Sequence, residues 1–338
     1  MRAALAAVFV LFAALTAVPA QESGKRLFPA EQDEKYGYID SNGIPSIPFK
    51  FDYAWDFHDG FAKVEIDGQC GYIANSGELV VQPRYNCAYS EDFSEGLAQV
   101  STEPRKAGFI DSTGRVVIAA KFFMTGKFSE GLAKVWPTPS EYGFIDKAGT
   151  IVIPAVYRDY ACDFHEGLAC VQRNGKFGFV GEAGNVAIPF QFEQAFDFSD
   201  GLAPAELDRK WGFIDRSGVF VIPPNFDLAW SFKEGLAPAR VGTKWGFITK
   251  AGGWVIAPQF DEVNGFGEGV ASVRVGTKWG YVRHDGTFAI APRFEDAWYF
   301  DGGLAQVRIR PRWALINQKG DLVWKWDEDD DLYTTEQN

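Results

Sequence analysis

Short apolar runs recur along the whole chain, and none has the length or period of a helix. Runs of four or five apolar or aromatic residues are cut each time by Gly, Pro or a polar pair. The clearest punctuation is a glycine closing turns such as Ile39-Asp40-Ser41-Asn42-Gly43 and Ile214-Asp215-Arg216-Ser217-Gly218. It returns as Gly77, Gly114, Gly149, Gly184, Gly252, Gly286 and Gly320, at intervals of 34 to 37 residues. An apolar strand, mostly of the form Gly-aromatic-Ile, precedes each turn. A second strand follows it, often ending in Pro, as in Val221-Ile222-Pro223 and Ile256-Ala257-Pro258. A second phrase alternates with the first, from Phe57-His58-Asp59-Gly60-Phe61-Ala62 to Phe300-Asp301-Gly302-Gly303-Leu304-Ala305. Between the two phrases stand hairpin turns such as Asp67-Gly68 and Asn174-Gly175.

The pattern predicts an all-β protein of tandem, roughly 34-residue, three-stranded antiparallel units, each with a short extra segment. One such unit cannot bury both its faces, so neighbours must stack. A closed propeller-like ring and an open curved array both fit. A 34-residue unit is short for a four-stranded blade, which takes about 40–45 residues in a familiar type. The first unit, beginning at Lys35, lacks the Leu-Ala-x-Val strand that the eight others carry. The organisation expected is a linker at 21–34, a repeat domain at 35–326 and an acidic, disordered tail at 327–338. Longer hairpin loops at 101–106 and 137–141 read as surface insertions.

Composition adds compartment and class. Arg2, an uncharged apolar stretch to Val18 and the small-residue end Val18-Pro19-Ala20 read as a signal peptide, residues 1–20, cleaved after Ala20. The product would be periplasmic or secreted, with no stable membrane span after cleavage. A formal net charge of −12 with no basic block argues against nucleic acid and anionic membrane surfaces. Four cysteines in an exported chain suggest disulfides. Of the three possible pairings, Cys70–Cys87 and Cys162–Cys170 are favoured, because each joins residues of one repeat.

The phrases Lys-Trp-Gly-Phe-Ile, Val-Ile-x-Pro and Phe-x-Glu-Gly-Leu-Ala, in order at one period over about Lys35 to Trp326, resemble the WG repeat, also called the KWG repeat. The resemblance implies a β-rich repeat scaffold, often exported and bacterial, and little more. The Trp position holds Tyr36, Cys70, Ala107, Tyr142 and Phe177 in the early units, and the Gly is lost at Ala314.

No catalytic constellation, cofactor motif or zinc spacing stands out, so a non-catalytic protein without a cofactor or metal is expected. His58, His165 and His284 occupy turns and read as solvated loop residues. Two repeated positions remain. The acidic turn holds Asp59, Glu95, Glu130, Glu166, Asp200, Glu234 and Glu268, and Gly302 breaks the series. Cation or basic-partner binding is one reading, and a carboxylate accepting nearby backbone N–H groups is the favoured one. The second position lies two residues before the Phe of Phe-x-Glu-Gly. It carries Trp55, Phe196, Trp230 and Trp298, with Tyr89 as a shifted equivalent and Cys162, Asn264 or Gly126 elsewhere. Variation beside a fixed scaffold suits a binding surface, whereas the Trp of Trp-Gly reads as core. The function expected is a binding or scaffold role toward a cell-envelope protein, or alternatively toward a glycan through exposed aromatics.

Overall fold

The computed structural model describes residues 26–158 and 160–326. The expected signal peptide and acidic tail lie outside the described residues. These form nine antiparallel sheets, each built from contiguous chain, at 27–51, 53–85, 93–122, 124–157, 168–192, 194–226, 228–260, 262–294 and 296–325. The sheets stand in a ring as a nine-bladed β-propeller, with blades numbered here in chain order.

The three long strands of each unit fall where the hydrophobic pattern puts them. In blade 6 they are Ala203–Leu207, Lys210–Ile214 and Phe220–Phe226. The Trp-Gly strand is buried on both faces: Trp211, Gly212, Phe213 and Ile214 are all inside. The third strand alternates exposed and buried residues, which places it on the outer wall. The extra segment becomes a fourth, inner strand in seven of the nine sheets, often only two residues long, such as Gln194–Ala195. That brevity is how a four-stranded blade fits in 34 residues.

One contact, repeated nine times, closes the ring. The turn glycine of each blade has a positive φ and lies against the central apolar residue of the preceding blade's third strand. Gly77 meets Ile47, Gly218 meets Ile188, Gly286 meets Ile256, and Gly43 of blade 1 meets Val323 of blade 9. A side chain there would clash with its neighbour and strain the turn, so Gly recurs for two reasons. Around the seam Phe28, Ala30 and Ile39 share a core cluster with Leu304, Leu315 and Trp326. Trp324 Nε1 donates to the Glu31 carbonyl at 3.1 Å, and its ring stacks on Phe49.

The expected linker is corrected here. Leu27–Gln32 is a strand that pairs with Lys35–Asp40, so blade 1 does have the counterpart of Leu-Ala-x-Val. Leu27-Phe28-Pro29-Ala30 simply does not spell that motif. Among the described residues, blade 1 lacks only the inner segment.

Both favoured disulfides form: Cys70–Cys87 ties the middle strand of blade 2 to the connection toward blade 3, and Cys162–Cys170 ties the inner segment of blade 5 to the strand Leu168–Arg173. The Lys of Lys-Trp-Gly is explained by a surface pair with the acid 17 residues later, as in Lys210–Asp227 and Lys244–Asp261, both 2.6 Å. Exposed pairs of this kind add little stability.

Candidate functional site

In blades 2 to 9 the segment running from the short strand to the Phe-x-Glu-Gly turn forms an inner strip. Its successive copies bond directly to one another. Ser94, Ser129 and Ser199 hydroxyls each donate to the Phe carbonyl of the next blade, at 2.6–2.7 Å. The acidic turn continues the pattern. Asp59 accepts from Gly96 N–H at 3.0 Å, Glu95 from Gly131 N–H at 2.9 Å, and Glu130 from both Glu166 and Gly167 N–H at 2.7 Å. Glu166, Asp200, Glu234 and Glu268 clasp the next turn in the same way. Each acid also adopts a left-handed φ of 51–56°. These carboxylates therefore accept backbone N–H groups, as expected, but the donor belongs to the following blade and not to the local turn. Gly302 ends the series where Arg26 packs over it and pairs with Asp301.

The variable position lies on this strip, opposite the x residue of Leu-Ala-x-Val. The register is marked by its N–H donating to that residue's carbonyl: Phe196 to Pro204 (3.1 Å), Trp230 to Pro238 (3.1 Å), Asn264 to Ser272 (2.9 Å) and Trp298 to Gln306 (2.9 Å). By the same bond, the strip residue of blade 3 is Glu91, whose N–H donates to Gln99 O at 3.0 Å. Tyr89 is thus not the equivalent. Six positions separate Tyr85 from Glu91, against four from Phe51 to Trp55. The two extra residues form the 3-10 turn Cys87–Tyr89, which leaves Tyr89 44% exposed off the strip.

Across the ring these pairs differ in chemistry. Lys63 Nζ sits 4.3 Å over the Trp55 ring and donates to Ser90 O at 2.6 Å. In blade 5 the pair is the Cys162–Cys170 disulfide; Asp197 lies near both sulfurs, but these are bonded to each other. Phe196 stacks on Trp211 at 5.0 Å and Trp230 packs on Trp245 at 4.8 Å. Asn264 Nδ2 donates to Ser272 Oγ at 2.7 Å. Trp55 and Trp230 are half-buried, while Trp298 is 47% exposed beside Tyr299 at 50%. The Trp of Trp-Gly is core: Trp211, Trp245 and Trp279 are buried.

One row of carboxylates on the strip has no counterpart in the sequence reading. The residue just before the strip Phe is Asp56, Asp92, Asp163 or Asp197 in blades 2, 3, 5 and 6. The signal available was Asp-Phe recurring at one register. The histidines face this row from the preceding blade: His58 Nε2 is 3.5 Å from Asp92 and His165 Nε2 is 3.6 Å from Asp197. His284 instead stacks on Phe266 and approaches Glu234 at 3.2 Å. Burial pushes the Asp197 carboxyl up to about 6, against the pull of His165. Asp56 is crowded by protein yet open to solvent, and that crowding raises it too. Glu91 is raised for the same reason.

These shifts set a pH dependence. Asp197 keeps its proton in the folded state at pH values where the unfolded chain, with an ordinary value of 3.8, has lost it. The stability it contributes is full below 3.8 and fades as pH rises through about 6. Carboxyls held low, such as Asp111 at about 2 through its bond from Thr113, lose their contribution only on acidification below the ordinary value. Melting temperature is expected to be higher at pH 5.5 than at pH 7.5, by roughly 1 °C. Asp197→Asn should shrink that difference. A flat or inverted profile in wild-type scanning calorimetry would contradict the assignment.

The fold and site define a nine-bladed propeller with an inner strip of variable residue pairs on a repeated frame. The chain belongs to the WG repeat family: the family model described as "WG containing repeat" matches eight tandem stretches, 36–70, 71–103, 108–135, 142–177, 177–211, 211–245, 245–279 and 279–310. No curated protein matches the sequence. Among solved structures it is similar to a eukaryotic initiation factor, with 12% identity, TM-score 0.58, and 89% of this chain and 96% of that one covered. It is also similar to the dihydro-heme d1 dehydrogenase NirN in complex with DHE, with 10% identity, TM-score 0.50, and 83% and 75% covered. At such identities the likeness shows the fold alone, and one fold serving an initiation factor and a dehydrogenase does not select a function.

Proposed function

We propose that this is an exported, non-catalytic binding or scaffold protein whose inner strip seats a protein partner in the cell envelope. The observation that carries the proposal is the contrast within the strip. The Phe and the turn glycine repeat, while the pair beside them runs through Trp–Lys, Glu–Gln, Cys–Cys, Phe–Pro, Asn–Ser and Trp–Gln. Variation held in fixed register on a rigid ring is how a recognition surface is encoded. The perturbed carboxyls Asp56, Glu91 and Asp197 belong to blades 2, 3 and 6, not to one reacting centre. Two disulfides fit an oxidising compartment. A glycan is the second reading, favoured by the exposed rings of Trp298 and Tyr299 side by side.

The test is capture from envelope extract by the purified chain and by a Trp55/Trp230/Trp298→Ala variant of equal folded fraction. Wild type should retain a protein that the variant loses. Retention of a glycan instead would select the second reading, and identical captures by the two chains would discard the strip.

A further inference from the structure

Of the four acids just before the strip Phe, three face a base on the strip of the preceding blade. Asp92 has His58 at 3.5 Å and also lies in the field of Lys63. Asp163 has Lys134 Nζ at 3.2 Å, and Asp197 has His165 at 3.6 Å. Asp56 is the exception. Among the described residues blade 1 has no strip, so the strip that precedes Asp56 around the ring is that of blade 9. There Asp301 stands where blades 2 and 5 carry His58 and His165, and Gln306 stands where blades 2 and 4 carry Lys63 and Lys134. The guanidinium nearby is Arg26, and it pairs with Asp301. His58, on the same strip as Asp56, lies against Asp92.

A cavity of about 290 Å³ opens between the two strips, lined among others by Phe28, Asp56, Trp298, Tyr299 and Gln306. Its aromatic wall repeats a contact made in blade 2. Trp55 lies opposite Lys63 as Trp298 lies opposite Gln306, a register fixed by Ala54 opposite Val64 and Ala297 opposite Val307. In blade 2 Lys63 Nζ sits 4.3 Å over the Trp55 ring, in the field of Asp92 and Glu91 on the next strip. In blade 9 Trp298 is 47% exposed, and among the described residues no cation stands over its ring. Phe28 and Tyr299 already have Arg26 and Lys233 at 5.9 and 5.3 Å from their centroids. The seam therefore keeps the ring and the acid of the blade 2 arrangement and lacks its ammonium. Crowding raises the Asp56 carboxyl and so disfavours its charge, a cost that a cation beside it offsets. The volume is at the small end for ligand sites, suited to a compact headgroup and not to an extended cofactor.

We propose that the seam cavity binds a small organic ammonium ion, held between the Asp56 carboxylate and the face of Trp298. The ligand supplies what Lys63 supplies in blade 2, and aromatic faces take primary and quaternary ammonium groups alike. A neutral sugar or an anion would leave Asp56 uncompensated. The site goes beyond the capture of a protein and does not depend on it: capture can fail while the ammonium binds, and the reverse.

Calorimetric titration of the full mature chain with choline and with ethanolamine tests it. At least one of the two should bind saturably at a single site. The neutral isostere of choline, with carbon in place of the nitrogen, should bind at least tenfold more weakly than choline. Asp56→Asn, which keeps the side-chain shape, and Trp298→Ala, whose ring is already half in solvent, should each weaken binding at least tenfold. Gln306→Lys installs the ammonium that blade 2 carries as Lys63, and should abolish binding. Trp254→Ala, on the outer strand of blade 7, should bind as wild type does. Melting curves confirm that each variant is folded. No saturable binding of either amine, equal binding of the neutral isostere, indifference to Asp56→Asn, or undiminished binding by Gln306→Lys overturns the proposal.

Discussion

Gly246→Ala lowers stability by about 3 kcal/mol or more, a larger loss than substitution at any turn glycine that faces open space. The residue sits in the middle strand of blade 7 with an ordinary φ, so the loss is not one of turn geometry. It comes from space. A Cβ would stand 2.3 Å from Ile256 O and 2.8 Å from both the Ala257 carbonyl carbon and Pro258 N. All three are backbone atoms of the neighbouring strand. That strand arches over the glycine: Trp245 pairs with Phe260 and Phe247 with Ile256, so four residues on one side answer two on the other. Ile256 cannot retreat, because it is buried and Gly286 of the next blade packs on it. Gly235→Ala is the control. Its φ is +79° and nothing lies within 4 Å, so it costs only the left-handed penalty of about 1–2 kcal/mol. Guanidinium denaturation of both variants reads the difference, and equal losses would remove the close-approach explanation. Blade 9 has already made the change. Ala314 stands at this position, and there Ala314 pairs with Lys325 and Leu315 with Trp324, residue for residue, without the arch.

Glu130→Ala lowers stability by about 1–2 kcal/mol, and Glu130→Gly by less. The carboxylate holds two backbone N–H groups of blade 5 at 2.7 Å, and hydrogen bonds to a charged group exceed neutral ones. Its exposure to solvent keeps the figure low. Glycine loses the clasp but releases the residue from a φ of 53°, which returns part of the cost. Glu130→Gln keeps an acceptor and should fall between wild type and Ala. The ordering Gln, Gly, Ala in urea midpoints checks the clasp. A Gly variant as unstable as Ala would show that backbone strain plays no part, and an Ala variant equal to wild type would show that the clasp carries no load.

The period, the strands, the core role of Trp-Gly and the disulfide partners were legible because each depends on residues close in sequence or on a motif repeated in phase. Phe213 and Ile214 announce a buried strand by composition alone. The features that escaped depend on a neighbour 34 residues away. Glu130 looked like a local turn acid because its partner Gly167 lies in the next unit, and no spacing rule within one unit points there. Blade 1 looks truncated in the sequence because Leu27-Phe28-Pro29-Ala30 replaces Leu-Ala-x-Val, although Leu27, Phe28 and Ala30 are buried in the expected places. Tyr89 was mistaken for a strip residue since an aromatic side chain advertises itself more than the two-residue insertion that displaces it. The row Asp56, Asp92, Asp163 and Asp197 was overlooked because an Asp before Phe resembles ordinary turn polarity. Its neighbours come from the preceding blade, His58 beside Asp92 and His165 beside Asp197, which a linear reading does not display.

The central claim is that recognition is confined to the inner strip while the outer wall is passive. Hydrogen–deuterium exchange of the chain with and without the protein it captures tests this most directly. Binding should slow exchange in residues 53–60, 296–303 and the equivalent strip segments. Exchange in the outer strands, such as Trp254–Phe260 with its exposed Trp254 and Val255, should stay unchanged. Protection confined to those outer strands, with the strip unaffected, would contradict the account.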